Sequence, residues 1–374
     1  MIVRHGIKKT ISLLCALGVV FALSGCTLFD GILKSTKNFD ELTKMVKEGN
    51  FVEEWEGKVP DGMKVKYLLV KDIKVNYNDN KYEYEYEYDK KGRPAVYKDI
   101  RQKGYIRYEI YYNSDDLVSS KKMTHDGYVG SAPTPDLNIK FEYNDSKKLV
   151  AYTYTVNGKV SEYHLKYDLE GHLISLTDYD NAERKYDFNF EKAPYHEYVA
   201  VVKEDFDVTL PQIVKRTYDE DMRLLSESTD DYTKTYEYDG EKLTGYTNKN
   251  RTTETRYDAD GKILSSSMGD GREVTEYRYN DRGDQVYYTM TRDGEVTFRK
   301  ESSYEYDSKG NMISRTDKIM SKSSSSGEKN YEDKYKFTYD ERGLLVTEEE
   351  RKSDGGYSYL RACYYKAKPV SDNG

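Results

Sequence analysis

The chain has 374 residues, with 59 Lys+Arg against 67 Asp+Glu, a formal net charge of -8 and a mean hydropathy of -0.92. That hydropathy excludes a bundle of membrane helices, which needs several apolar runs of about 20 residues, and three cysteines exclude a disulfide scaffold. Forty tyrosines argue for a folded chain rather than a disordered one, and the acidic balance argues against nucleic acid as a partner.

Residues 1–25 read as a targeting segment. Arg4, Lys8 and Lys9 form a positive start, and Ile11 to Leu23 is apolar but short for a membrane span. The segment ends in Leu23-Ser24-Gly25-Cys26, which resembles the lipobox of bacterial lipoproteins. The resemblance implies lipid attachment to the Cys26 thiol and cleavage before it. It also implies a cell-envelope protein, anchored in the membrane by its N-terminal lipid and facing away from the cytoplasm. Cys363 is then the one cysteine left without lipid, and its apolar surroundings suit a small buried hydrophobe.

Residues 26–37 follow as a lipidated tether, and 38–62 as a short helix and cap. Asn38 is placed to cap the helix with Glu41 as its reciprocal partner, and Gly49 is placed to stop it. Phe39, Leu42, Met45 and Val46 share one face. With Trp55, this helix is expected to plug an open end of the domain behind it.

Residues 63–366 change to period two and form a β-repeat domain, with 367–374 as a C-terminal tail. Tyr82 to Tyr88 alternates Tyr and Glu without a fault, which a strand sorts onto two faces. Tyr88-Asp89-Lys-Lys-Gly92 then recurs at Asp168 and Gly171, Asp258 and Gly261, Asn280 and Gly283, Asp307 and Gly310, and Asp340 and Gly343. Looser copies begin at Tyr112, Tyr143, Tyr218 and Tyr238. Asp or Asn opens a type I turn, and Gly after it takes the left-handed conformation, giving a three-residue hairpin loop with a bulge. In that register each Tyr faces the second residue after Gly, such as Leu173, Ile263, Met312 or Leu345. Asn157-Gly158, Asp270-Gly271 and Asp293-Gly294 are type I′ signals that close many units. The sum is an all-β antiparallel meander of repeated hairpins, about twenty strands, curled into a shell, an open barrel or a sheet, with a short N-terminal helix.

Three stretches break the rhythm: a rigid loop at 130–135, residues 192–211, and a serine-rich loop at 321–327. Tyr195, His196 and Tyr198 in the second are the candidate ligand contacts.

The Tyr-x-Tyr-Asp-x-x-Gly-x-Leu units, over roughly 82–366, resemble the YD repeats of the Rhs family. That resemblance implies a curled β-repeat scaffold and, as an alternative role, a component of a polymorphic-toxin system. No phosphate-binding loop, serine-hydrolase elbow or zinc-protease motif occurs in the chain. His164 and His172 do not converge in the expected register, and Arg282-Gly283-Asp284 is accounted for by its turn. No catalytic residue, metal site or cofactor is therefore expected. The function expected is non-enzymatic: a scaffold binding a protein or glycan through its tyrosine face or interruption loops, or a purely structural envelope protein.

Overall fold

The computed structural model describes residues 37–101, 104–127, 135–269, 271–323, 327–351 and 357–371. Leu23, Ser24, Gly25 and Cys26, the loop at 130–134 and Asp270 lie outside the described residues.

One helix, α1 (Lys37–Glu48), precedes twenty-five strands. The first eleven are β1 (Val52–Glu53), β2 (Met63–Asn76), β3 (Lys81–Tyr88), β4 (Pro94–Arg101), β5 (Gly104–Tyr112), β6 (Val118–Gly127), β7 (Leu137–Tyr143), β8 (Leu149–Val156), β9 (Lys159–Tyr167), β10 (Leu173–Thr177) and β11 (Glu183–Lys185). Next come β12 (Tyr195–Val201), β13 (Gln212–Tyr218), β14 (Leu224–Ser228), β15 (Tyr232–Asp239), β16 (Lys242–Asn250), β17 (Thr253–Asp258), β18 (Ile263–Met268) and β19 (Glu273–Tyr279). The chain ends with β20 (Gln285–Arg292), β21 (Glu295–Tyr306), β22 (Met312–Ser323), β23 (Gly327–Tyr339), β24 (Leu345–Arg351) and β25 (Tyr357–Ser371).

Successive strands pair antiparallel from β2 to β11 and again from β12 to β25. The two wings join where β25 pairs along the whole of β2. Short β1 runs parallel to β25 beyond the end of β24. At the opposite seam, between β11 and β12, an isolated bridge joins Asn189 to His196. The sheet is therefore a meander held by its first and last long strands, not a closed barrel.

The turn is the repeating device. Eleven described hairpins open on Asx: Asn76, Asp89, Asn113, Asn144, Asp168, Asp178, Asp219, Asp258, Asn280, Asp307 and Asp340. Each Asx accepts from the third residue on and donates to the carbonyl of the fourth, as in Gly171 N to Asp168 O at 3.2 Å and Asp168 N to His172 O at 3.0 Å. The Asx side chain adds a bond from the fourth residue's N–H, 2.7 Å for His172 onto Asp168 Oδ1 and 2.9 Å for Arg93 onto Asp89 Oδ1. This Asx turn explains why Asp or Asn, and not Ser, recurs. The third position is left-handed: Gly171 has φ 89° and Gly92 φ 77°. Asp116, Lys147 and Met222 adopt the same conformation at φ 61–66°, in place of Gly. Tyr88, Tyr167, Tyr257, Tyr279, Tyr306 and Tyr339 pair with Pro94, Leu173, Ile263, Gln285, Met312 and Leu345, each beside a bulge, in the expected register. Tyr238-Asp239 departs from the pattern. Gly240 follows Asp239 directly, and Asp239 pairs with Lys242 across a two-residue loop.

Tyrosine, rather than phenylalanine, has a second reason that the pattern alone does not reveal. Its hydroxyl reaches across to the neighbouring strand and donates to the carbonyl of the first residue paired after the previous turn. Tyr143 bonds Val118 O at 2.8 Å, Tyr167 bonds Leu149 O at 2.9 Å, Tyr238 bonds Leu224 O at 3.0 Å and Tyr279 bonds Ile263 O at 2.9 Å. Tyr365 closes the series on Leu345 O at 2.9 Å. Each latch ties two consecutive repeats together at the end where no loop joins them.

The joint between the wings has two faces. On one, Phe39 and Leu42 of α1 bury against Ile73 and Val75 of β2 and Leu360 and Ala362 of β25. On the other, Arg361 makes a buried bidentate pair with Asp72, 2.9 Å at each oxygen. Asn38 does not cap α1. The Asp79 carboxylate, from the β2–β3 turn, takes the N–H groups of Asn38 and Phe39 at 3.1 and 2.9 Å. Gly49, at φ 74°, ends the helix as expected. The helix lies flat on the joint rather than plugging an end, and Trp55 is 40% exposed. Residues 367–371 are no tail: they extend β25, with Ala367 and Val370 buried. The serine-rich stretch is likewise shorter as a loop than expected, because Ser323 still pairs with Gly327.

Candidate tyrosine face and its polar row

Period two places Tyr88, Tyr143, Tyr167, Tyr279 and their in-register neighbours on one face of the sheet. The two wings treat that face differently.

In the N-terminal wing it is covered. Ile110, Val118, Ile139, Phe141, Leu149, Tyr152, Leu165, Leu173 and Leu176 form a buried core. Tyr198 and Ala200 of β12, then Val202, Phe206 and Val208, pack over it. Phe206 meets the Tyr97 ring at 5.5 Å. Lys121, only 1% exposed, points into this layer and donates to Asp205 Oδ1 at 3.1 Å and Asp207 O at 2.9 Å. Its burial pulls the ammonium below its ordinary value, against the pull of Asp205.

In the C-terminal wing it is uncovered. Among the described elements, β14 to β23 pack substantially only against their neighbours in the sheet. Among the described residues, no apolar side chain between Val214 and Ile319 is buried. Tyr236 and Tyr246 meet at 5.7 Å, and Tyr246 and Tyr257 stack at 4.5 Å. Across β18, where Ser266 bonds Thr255 at 2.9 Å, the row resumes with Tyr277, Tyr288 and Phe298 at 5.1 and 5.6 Å. Stacked rings shield each other's faces, so a ligand would meet edges and phenol oxygens.

Lys234 stands over Tyr236 and Tyr246 at 6.0 and 5.1 Å, and beyond Phe298 the same face carries several charges. Ser302, Asp317 and Asp333 stand opposite one another on β21, β22 and β23. The next row is Tyr304, Arg315, Tyr335 and Glu350. Burial, then Asp317, pushes the Asp333 carboxyl up, and burial pushes the Lys300 ammonium down. Burial also raises Glu350. Sequence reasoning missed this row. The signal was there: Lys300-x-Ser302-x-Tyr304-x-Tyr306 and Asp333-x-Tyr335-x-Phe337-x-Tyr339 put charge in phase with tyrosine.

The residues singled out at the interruption do not converge. Tyr195 lies near Phe190, with 6.4 Å between ring centroids. His196 Nε2 is 3.2 Å from Asp187 Oδ2. Tyr198 packs on Tyr186 at 4.9 Å, within the N-terminal core rather than on a free surface. Asp168, Glu170 and His172 do gather, with a ligand atom of each within 4.8 Å of the others. Asp168 is already engaged by its turn and by His172 Nδ1 at 2.8 Å, and His172 stacks on Phe188 at 4.2 Å. Cys363 is 1% exposed, and burial pushes its thiol up to about 12, which removes it as a nucleophile at neutral pH.

No family model and no curated protein matches this chain. Among solved structures it is similar to the TcdB2-TccC3-TEV crystal structure, with 12% identity and a TM-score of 0.27, covering 81% of this chain and 19% of that one. The chain thus spans about a fifth of that protein. It is also similar to porin-like proteins from Bacteroides uniformis and Bacteroides vulgatus, each at 12% identity, with TM-scores of 0.22 and 0.23. These cover 79% and 80% of this chain and 96% and 99% of theirs. Likenesses at this level assign no ligand, partner or activity.

Proposed function

We propose that this chain is a non-enzymatic binding scaffold of the cell envelope, lipid-anchored through Cys26 and facing away from the cytoplasm. It holds a protein or glycan on the tyrosine face of the C-terminal wing. The observation that carries the reading is the contrast between the wings: the chain covers its own tyrosine face with 198–208 on one side and leaves the same face open on the other. A protein that wanted only stability would have no use for an uncovered aromatic row. The Asx turns support the likeness to YD repeats, and with it a second reading as a structural or toxin-system component.

Two experiments test this. Labelling with a palmitate analogue in the host should mark the wild-type chain and not Cys26→Ser; label on neither removes the anchor. Glycan and peptide arrays should show a ligand for the wild type that Tyr246→Ser with Tyr277→Ser loses. An array hit that survives both substitutions places binding elsewhere.

A further inference from the structure

We propose that the tyrosine face of β15 to β21 docks an extended acidic peptide segment of a partner protein, with carboxylates on Lys234 and apolar side chains on the ring row. The inference rests on the binding reading above and names its ligand class, a polypeptide rather than a glycan.

The chain carries its own example of what this face accepts. In the N-terminal wing the occupant is Val202-Lys-Glu-Asp-Phe-Asp-Val208, whose acids are Glu204, Asp205 and Asp207. These residues form no strand, so they lie on the face without adding to its ladder. Val202, Phe206 and Val208 pack on the buried core, Phe206 meets the Tyr97 ring at 5.5 Å, and Asp205 accepts from the Lys121 ammonium at 3.1 Å. Phe206 reaches β4 and Asp205 reaches β6, so the segment runs across the strands.

The bare wing offers the same pieces. Its ring row runs from Tyr236 on β15 to Phe298 on β21, about 29 Å across the strands, which an extended segment of about nine residues would cross. Lys234 takes the part of Lys121. It lies in phase with Tyr236 and Tyr238, its ammonium stands over the Tyr236 and Tyr246 rings, and it makes no ion pair among the described residues. Glu227, opposite it, is committed to Arg216 at 3.1 Å and to the Tyr236 hydroxyl at 2.6 Å. Within β15 to β21 the carboxylates in phase with the tyrosines are Glu273 and Glu295, and both are paired, with Arg292 at 2.6 Å and Lys322 at 2.8 Å. Lys300 stands at the far end of the row, opposite Tyr288. The uncompensated charge on this stretch is therefore positive and selects carboxylates over Lys or Arg. Tyr246 and Tyr257 stack on each other, which closes those ring faces to a sugar and leaves edges for aliphatic and aromatic side chains.

Titration calorimetry of the full chain with a synthetic peptide of residues 200–211 tests this. The peptide should bind the wild type. Lys234→Met should weaken it about fivefold, and Tyr246→Ser with Tyr277→Ser should abolish it. A second peptide carrying Glu204→Gln, Asp205→Asn and Asp207→Asn should bind the wild type more weakly than the first and be indifferent to Lys234→Met, a coupling that a lysine with only a structural role would not produce. Unchanged affinity in Lys234→Met, or binding that survives the two tyrosine substitutions, overturns the docking site. If the wild type ignores the peptide yet a glycan array shows a ligand that the tyrosine substitutions remove, the docking site falls and the scaffold reading stands. A wild type that binds no peptide and no glycan overturns both.

Discussion

The two wings are written in the same code and packed by different rules. Tyr167 of β9 and Tyr279 of β19 precede the same turn, face the same register position and latch the same kind of carbonyl at 2.9 Å. Around Tyr167 lie Leu149, Leu165 and Leu173, all buried. Around Tyr279 no buried apolar side chain is found among the described residues. The turn and latch are thus sufficient to make a sheet, and the core is an addition made in one wing. What adds it is residues 198–208, which fold back over β4 to β9. The C-terminal wing stays a single layer and the N-terminal wing gains a second one.

The largest effect should come at the joint. Arg361→Ala removes the bidentate partner of the buried Asp72 carboxylate, which keeps the Lys74 ammonium at 3.4 Å, and should cost about 3 kcal/mol in urea unfolding. Such a loss should lower the stability of both wings, since Asp72 lies on β2 of one wing and Arg361 on β25 of the other; a change in one wing only would show that the joint does not couple them.

Core truncation separates the wings next. Ile139→Ala, at a fully buried site, should cost about 3 kcal/mol, and Ile263→Ala, half-buried opposite Tyr257, less than about 1.5 kcal/mol. Equal costs would mean that the C-terminal face is covered after all.

The latches should not separate them. Tyr167→Phe and Tyr279→Phe should each cost about 1 kcal/mol, the ordinary net worth of one hydrogen bond. The same tyrosines govern alkaline stability. Burial pushes Tyr143 and Tyr167 in one wing, and Tyr279 and Tyr304 in the other, from 10 up to about 12. The folded state favours the neutral phenol, so this contribution is full below pH 10 and is lost as pH rises through about 12. The urea midpoint should fall over that window, and less steeply in a variant with two latches replaced by Phe. A midpoint indifferent to the replacement would remove the latches from the account.

The smallest effect tests the turn. Met222 is 53% exposed and left-handed at φ 61°, so Met222→Gly should raise stability by up to about 1 kcal/mol without losing packing. At Gly92 the opposite holds, because a Cβ there would meet Val370 at 2.9 Å.

The hairpin register was legible because one local rule, Asx then left-handed residue, decides it. The turns at Asn76 and Asp178 escaped that rule, since neither follows a tyrosine and Asp79 and Asn181 replace Gly. The cap from Asp79 was not legible, because Asn38 and Asp79 are 41 residues apart and Asn38 is itself a good capping residue. The cover at 198–208 was seen as an interruption, but where it lies is a long-range packing choice that periodicity does not encode. The polar row could have been found by following each tyrosine's phase along its strand to Lys300, Ser302 and Asp333.

Hydrogen–deuterium exchange of the intact chain, resolved by peptide, puts the central contrast to the most direct test. The amides of β7 to β9, under their core, should exchange far more slowly than those of β15 to β18, which have the same ladders and no cover. Equal protection in the two sets would contradict the claim that one wing is cored and the other is bare.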